Sequence, residues 1–427
     1  MTQLTNDCFA GPGQMMRAGE ALELILGRLV RVTETEAVPL ERAVDRILAE
    51  PVVSPIDVPG HDNSAVDGYA VYFDDLDPAA ETRLPVEGRA AAGHPFRRPA
   101  RRGAAVRIFT GAPMPAGEDG RPGPDTVMMQ EDCRLEGETV VIAPGIKRGS
   151  NRRLRGEDVI AGRTILAAGT RLRPQDVGLA ASVGVTALQV SQPLRVALFS
   201  TGDELAEPGE ALKPGAVYDA NRFAIMGMLR QLGCTVTDLG ILPDRREVIR
   251  LSLSVSAQDH DLLITSGGVS VGEEDHVKAA IEALGRLHLW RLAIRPGRPI
   301  ALGQIDSEGR AVPFIGLPGN PVAVMVTFLR IARPIVLRLM GGRDLAPVMF
   351  RVRAGFGYAK KKDRREWLRA RLVAGADGEL RAEKYPHEGA GILTSMVEAD
   401  GLVELPEEMT RLEAGAMVDF LPFSGLR

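Results

Sequence analysis

At 427 residues the chain exceeds one ordinary domain of about 100–200 residues, so three or four compact units are expected. Its 52 basic and 56 acidic residues give a net charge of −4, which excludes the global basic footprint of a nucleic-acid-binding protein. Hydrophobic residues at 45% suffice for real cores, and aromatics at only 4% predict that Ala, Val, Leu and Ile build them.

The segment 1–13 is polar, with no basic stretch leading into an apolar one, so no signal peptide is read there. Ala21, Leu22, Leu24, Ile25, Leu26 and Leu29 predict an amphipathic helix over 17–30. A second short helix is predicted over 40–49, stopped by Pro51, and 52–59 reads as extended. Between 69 and 142, short alternating segments at 84–91, 104–108, 126–130 and 139–142 predict a small β domain over 55–155. The Gly- and Pro-rich stretch 112–124 reads as a surface loop within it. Arg173-Pro174-Gln175-Asp176 marks a helix start, and 156–190 is expected to join 1–54 in a discontinuous helical and linker domain.

From 194 to 340 strands and helices alternate. Strands are predicted at 194–199, 234–239, 261–265, 287–294 and 311–315, and helices at 220–232, 245–257, 275–284 and 321–339. That pattern predicts an α/β domain over 191–342 with a mainly parallel sheet. After Gly341-Gly342, short strands at 349–354, 366–373, 401–405 and 417–421 predict a terminal β-barrel or sandwich over 343–427. The fold class is therefore multidomain α/β plus β. Cys8, Cys133 and Cys234 form no metal-spaced pair or disulfide framework, and the six His are scattered. No apolar run reaches the roughly 18–20 residues of a membrane span, so a cytoplasmic protein without membrane or nucleic-acid partners is expected.

The chemistry gathers in loops that follow the predicted strands: Ser200-Thr201-Gly202-Asp203-Glu204-Leu205, Ser266-Gly267-Gly268-Val269-Ser270-Val271-Gly272-Glu273-Glu274-Asp275, Arg295-Pro296-Gly297-Arg298-Pro299 and Gly316-Leu317-Pro318-Gly319-Asn320-Pro321. Open α/β sheets bind ligands at the carboxyl ends of their strands, where such loops converge. Glu204, Asp244 and Asp275 would repel a phosphate unless a hard divalent cation joined them, which suggests a phosphorylated ligand with Mg²⁺. Asp203 and Asp275 read alternatively as helix N-caps. Arg295 and Arg298 on a stiff Pro-Gly turn suit an oxyanion, or form an exposed turn. The loop 316–321 opens a helix whose first N–H groups can bind an anion, or is a tight turn. Neither a Walker A loop, a dinucleotide-binding glycine fingerprint nor a Gly-x-Ser-x-Gly elbow is present.

Seven motifs in order resemble the MoeA family of molybdopterin molybdenumtransferases, similar also to the gephyrin E domain. They are Asp62-Asn63-Ser64-Ala65-Val66-Asp67-Gly68-Tyr69-Ala70, Ile108-Phe109-Thr110-Gly111-Ala112-Pro113, Arg155-Gly156-Glu157-Asp158, Ser200 to Leu205, Ser266 to Asp275, Arg295 to Pro299, and Leu317 to Pro321. The resemblance implies a homodimer with its active cleft shared between subunits, inserting molybdate into adenylylated molybdopterin with release of AMP. It implies catalytic roles for Asp67, Thr110, Glu204, Asp244 and Asp275, the last three also as Mg²⁺ ligands. It implies substrate binding by Ser200, Thr201, Gly202, Ser266, Gly267, Gly268, Ser270, Gly272, Arg295, Arg298, Pro299, Pro318, Gly319, Asn320, Pro321 and Arg369. It further implies a molybdopterin adenylyltransferase as a partner.

The chain departs from the family pattern at Arg295 and Arg298, where lysines are usual, and at Ala390, where a serine hydroxyl is usual and Thr394 or Ser395 is the nearest substitute. The longer 112–124 loop is a third departure. Two alternatives share the central domain: an adenylyltransferase, against which the flanking β domains argue, and a dimeric scaffold without catalysis, against which Glu204, Asp244 and Asp275 argue.

Overall fold

The structure, a computed structural model, describes residues 15–268, 276–375 and 378–425, the side chains of 289 and 290 excepted. The chain divides into two compact units. The larger runs to residue 50 and adds 168–172 and 189–427; the smaller comprises 51–167 and 173–188.

In the larger unit a six-stranded sheet has the order Thr235–Leu242, Arg195–Thr201, Leu262–Ser266, Arg310–Leu317, Pro299–Ser307, Gly285–Arg291. The first four strands run parallel, and Pro299–Ser307 runs antiparallel to both its neighbours. Successive side chains point to opposite faces of a strand. Val196, Leu198, Leu262, Ile264, Ile315 and Leu317 accordingly enter one core, with Ile225 and Leu229 of helix Asn221–Gln231. Ala197, Phe199, Leu263 and Phe314 enter the other, with Ile249 and Leu253 of helix Arg246–Asp259 and Val277 and Ile281 of helix His276–Leu284. Covering both faces explains why these strands read as continuous apolar runs.

The helix expected over 321–339 is one run with a π turn at Phe328–Ala332 between Pro321–Thr327 and Arg333–Leu339. Pro334 has no N–H for the carbonyl of Arg330, and the widened turn sits beside that gap. Helix Ala18–Arg28 adds Ala18, Ala21 and Ile25 to the first core. The helix predicted over 40–49 is not formed. A single 3₁₀ turn, Leu40–Arg42, is followed by Asp45 at φ 67°, and Ile47 and Leu48 then bridge to Arg171 and Val190 as extended chain. Tertiary pairing overrides the helical spacing there.

Phe350–Ala354, Arg365–Ala374, Leu380–Lys384, Gly401–Leu405 and Met417–Pro422 close into a five-stranded barrel. Closure depends on the long Arg365–Ala374 strand, which pairs with Gly401–Leu405 through 366–370 and with Leu380–Lys384 through 370–374. Its first residues also pair with Ile294–Arg295, tying the barrel to the 295–299 loop.

The smaller unit holds another six-stranded sheet, in the order Thr126–Met129, Gly68–Val71, Ala105–Ile108, Thr82–Ala90, Thr139–Ile142, Cys133–Glu136. Its helix Pro174–Ser182 starts as predicted, with Asp176 accepting from the Arg173 backbone N–H at 2.8 Å and from its guanidinium at 2.9 Å. The 112–124 loop lies on the sheet: Ala112 is fully buried and Ala116 O accepts from Ala100 N at 2.8 Å.

Candidate functional site

Strands Arg195–Thr201 and Leu262–Ser266 lie side by side at the switch point of the sheet. The chain leaves the first over one face, through helix Asn221–Gln231, and reaches the second over the other, through helix Arg246–Asp259. The two crossovers diverge and leave a crevice at the carboxyl ends, where α/β sheets bind ligands. Asn221 ties the crevice together: its Nδ2 donates to Ser266 Oγ at 2.9 Å and to Gly319 O at 2.6 Å. Gly267 N donates to Leu317 O at 3.1 Å, and Thr201 Oγ1 to Asp244 Oδ1 at 3.4 Å. Gly268, at φ 62°, must be glycine, since a Cβ there would lie 2.6 Å from Thr201 Cγ2 and 2.7 Å from Val277 Cγ2.

A cleft of about 810 Å³ opens between this edge and the barrel. Of the expected site residues, Glu204, Gly267, Gly268, Arg295, Arg298, Pro299, Pro318, Gly319, Asn320 and Arg369 line it. Thr201 and Ser266 are buried just beneath, and Ser200 is fully buried. Ser270, Gly272 and Asp275 lie outside the described residues, as do Glu273 and Glu274. Two of the first positions of the 321–339 helix offer no open N–H group: Pro321 has none, and Val322 N donates to Ala390 O at 2.9 Å.

The charges of the cleft are unequal. Arg295 Nη2 donates to Glu388 Oε2 at 3.0 Å, and its Nη1 donates to Tyr358 Oη at 3.1 Å and lies 3.5 Å from Glu366 Oε2. Tyr358 donates to Glu366 Oε2 at 3.0 Å, and Glu366 is fully buried against Arg364. Burial, and then the Glu366 charge, push the Tyr358 phenol above its usual range, so it stays protonated. Arg295 is thus charge-compensated by acids of the barrel. Arg298 is exposed and Arg369 buried, and among the described residues neither has an ion-pair partner. Arg369 is held by neutral oxygens: Ser395 Oγ at 3.0 Å, His387 O at 2.8 Å and Gly389 O at 3.3 Å. Ser395 is buried and committed to Arg369, so it does not replace the hydroxyl missing at Ala390.

Asp67 and Thr110 belong to the smaller unit. Asp67 Oδ1 accepts from Thr110 N at 2.8 Å and Thr110 Oγ1 at 2.7 Å. These bonds, the backbone one first, lower the Asp67 pKa below 3.8. A depressed folded-state pKa contributes stability above the unfolded value, and that contribution is lost as pH falls through the folded one. Thr110→Val removes only the hydroxyl, so the Asp67 pKa should rise part of the way back toward 3.8. A carboxyl-carbon NMR titration checks this; an unchanged pKa would mean the hydroxyl does not hold the acid.

Sequence reasoning missed Asn221, Tyr358 and the pairing of Glu388. Asn221 at the start of a crossover helix after a strand is the kind of residue a strand-end survey can find. Tyr358 and Glu388 carry no such signal, because they reach Arg295 from the barrel, 63 and 93 residues away.

Three family models match the chain in succession: the MoeA N-terminal region (domain I and II) over 16–184, a probable molybdopterin binding domain over 197–338, and the MoeA C-terminal region (domain IV) over 351–423. A molybdopterin molybdenumtransferase of Haemophilus influenzae is 37% identical over 414 residues, covering 96% of this chain and 100% of its own. One from a Nostoc species is 34% identical, covering 90% and 87%. Among solved structures, the molybdopterin biosynthesis moeA protein of Pyrococcus horikoshii OT3 superposes with a TM-score of 0.81 at 27% identity, over 96% of this chain and all of that one.

Proposed function

Because the chain belongs to the MoeA family of molybdopterin molybdenumtransferases, we propose that its cleft inserts molybdate into adenylylated molybdopterin and lets AMP leave. The chain is a transferase of molybdenum-cofactor biosynthesis. One observation carries the finer reading: Arg298 and Arg369, which have no ion-pair partner among the described residues, bring guanidinium groups to a cleft walled by glycine-rich loops at the switch point. A tetrahedral dianion suits the guanidinium forks, and the phosphorylated pterin suits the loop N–H groups. The protein's work is then positioning and charge balance.

Mg²⁺ belongs to the proposal. Among the described residues Glu204 lines the cleft without a cationic partner, and Asp244 takes one side-chain hydrogen bond, the 3.4 Å one from Thr201. Both carry hard oxygen donors of the kind the ion takes, and Asp275 belongs to the stretch outside the described residues. When bound, the cation would offset the charge of the pyrophosphate. Chelation with EDTA should weaken binding of adenylylated molybdopterin about tenfold or more, with recovery on adding Mg²⁺. Unchanged affinity in EDTA would remove the cation from the account.

The same proposal includes a homodimer in which Asp67 and Thr110 of one copy complete the cleft of the other, and an adenylyltransferase that delivers the substrate. The preset, charged Asp67 supports the first point. A cytoplasmic location is proposed as well, since Cys133 and Cys234 are free thiols. Among the described residues no helix is long and apolar enough to cross a membrane.

A further inference from the structure

Glu388 holds two cations at once. Its Oε2 takes Arg295 at 3.0 Å, on the cleft wall, and its Oε1 takes Lys384 Nζ at 3.3 Å, outside the cleft lining. The anchors around it are less free to move. Glu366 is fully buried and paired with Arg364, and Tyr358 is bonded to Glu366. Glu388 has a side chain 37% exposed and two carboxylate oxygens, each of which already has a separate partner.

An oxyanion in the cleft and the Glu388 carboxylate want the same guanidinium edge of Arg295, and two anions on one edge repel each other. Lys384 offers Glu388 somewhere to go. Its Nζ is already in contact, and among the described residues its one other hydrogen bond is to Tyr385 O at 3.2 Å. Moving wholly to Lys384 would free Arg295 without leaving a carboxylate unpaired in the half-buried wall.

We propose that Glu388 is a positioning residue that competes with the substrate oxyanion for Arg295, and that Lys384 receives it when the oxyanion binds. This rests on the oxyanion reading of the cleft. Glu388 keeps Arg295 oriented and its charge offset while no anion is bound, and sets the affinity for the anion. A residue that merely clamps Arg295 in place would act in the opposite direction, because losing the clamp would weaken anion binding.

The test is isothermal titration of the full chain with sodium molybdate alone, at fixed ionic strength. Glu388→Gln, which keeps the shape of the side chain, should bind about tenfold more tightly than wild type, and Lys384→Met about threefold more weakly. The double variant should stay close to Glu388→Gln, because Lys384 acts through Glu388. In turnover, Glu388→Gln should lower KM for molybdate more than it changes kcat. Weaker, unchanged or undetectable binding by Glu388→Gln overturns the proposal, as does simple additivity in the double variant. If wild type releases no AMP in response to molybdate, the functional reading fails, while the titration still decides the role of Glu388.

Discussion

Arg298→Ala should lower kcat/KM for molybdate about 100-fold to 1000-fold while leaving the fold intact. Arg298 is exposed on the cleft wall, and among the described residues no carboxylate compensates it. Arg369 also lacks an ion-pair partner, but it is buried and three neutral oxygens hold it. Arg298 is therefore the exposed cation that first meets a dianion, and removing it takes away charge and hydrogen-bond donors without opening a core. Arg298→Lys should recover part of the loss, since a point charge replaces the charge but not the two-pronged geometry. Steady-state kinetics over a molybdate series, with a melting curve as control, measures this. Wild-type kinetics in Arg298→Ala would move the anion site elsewhere.

Arg222→Met should cost about 3–5 kcal/mol of stability, because it leaves buried carboxylate without its partner. The Arg222 side chain is only 3% exposed and binds Asp219 at 3.0 Å, Asp238 at 2.5 Å and Glu207 at 2.5 Å. Asp219, at 1% side-chain exposure, cannot recover its hydration when the guanidinium is removed. The damage should reach the site as well. Arg222 fixes the first turn of helix Asn221–Gln231, and the neighbouring Asn221 holds Ser266 and the 318–320 loop in register. Urea denaturation gives the stability, and KM for the pterin substrate gives the second effect. A loss below about 1 kcal/mol would show that the three acids can rehydrate in place.

The readable parts of this chain are those where one local force dominates. Arg195–Thr201 and Leu262–Ser266 are covered on both faces and must be apolar throughout, so they stand out as strands. Pro299–Ser307 escapes because it opens with the proline of a turn motif and carries Gly303 and the buried polar Gln304 in mid-strand. The 40–49 segment has helical spacing, but Ile47 and Leu48 find extended partners more than a hundred residues away. The site divides in the same way. The glycine-rich loops, Glu204 and both arginines can be found from strand ends alone, because the sheet dictates where ligands bind. The unequal pairing of Arg295 and Arg298 cannot be found that way. It is decided by Tyr358 and Glu388, which only barrel closure brings to the cleft. The pairing of Asp67 with Thr110, 43 residues apart, likewise depends on adjacent strands of the small sheet.

The most direct measurement is AMP release by the purified full chain from adenylylated molybdopterin and Mg²⁺, with and without molybdate. The account predicts that AMP appears with molybdate, together with molybdenum cofactor able to activate an apo-molybdoenzyme, and that both are lost together in Arg298→Ala. Tight binding of the adenylylated pterin with no molybdate-dependent AMP would contradict it and leave a carrier or scaffold in place of a transferase.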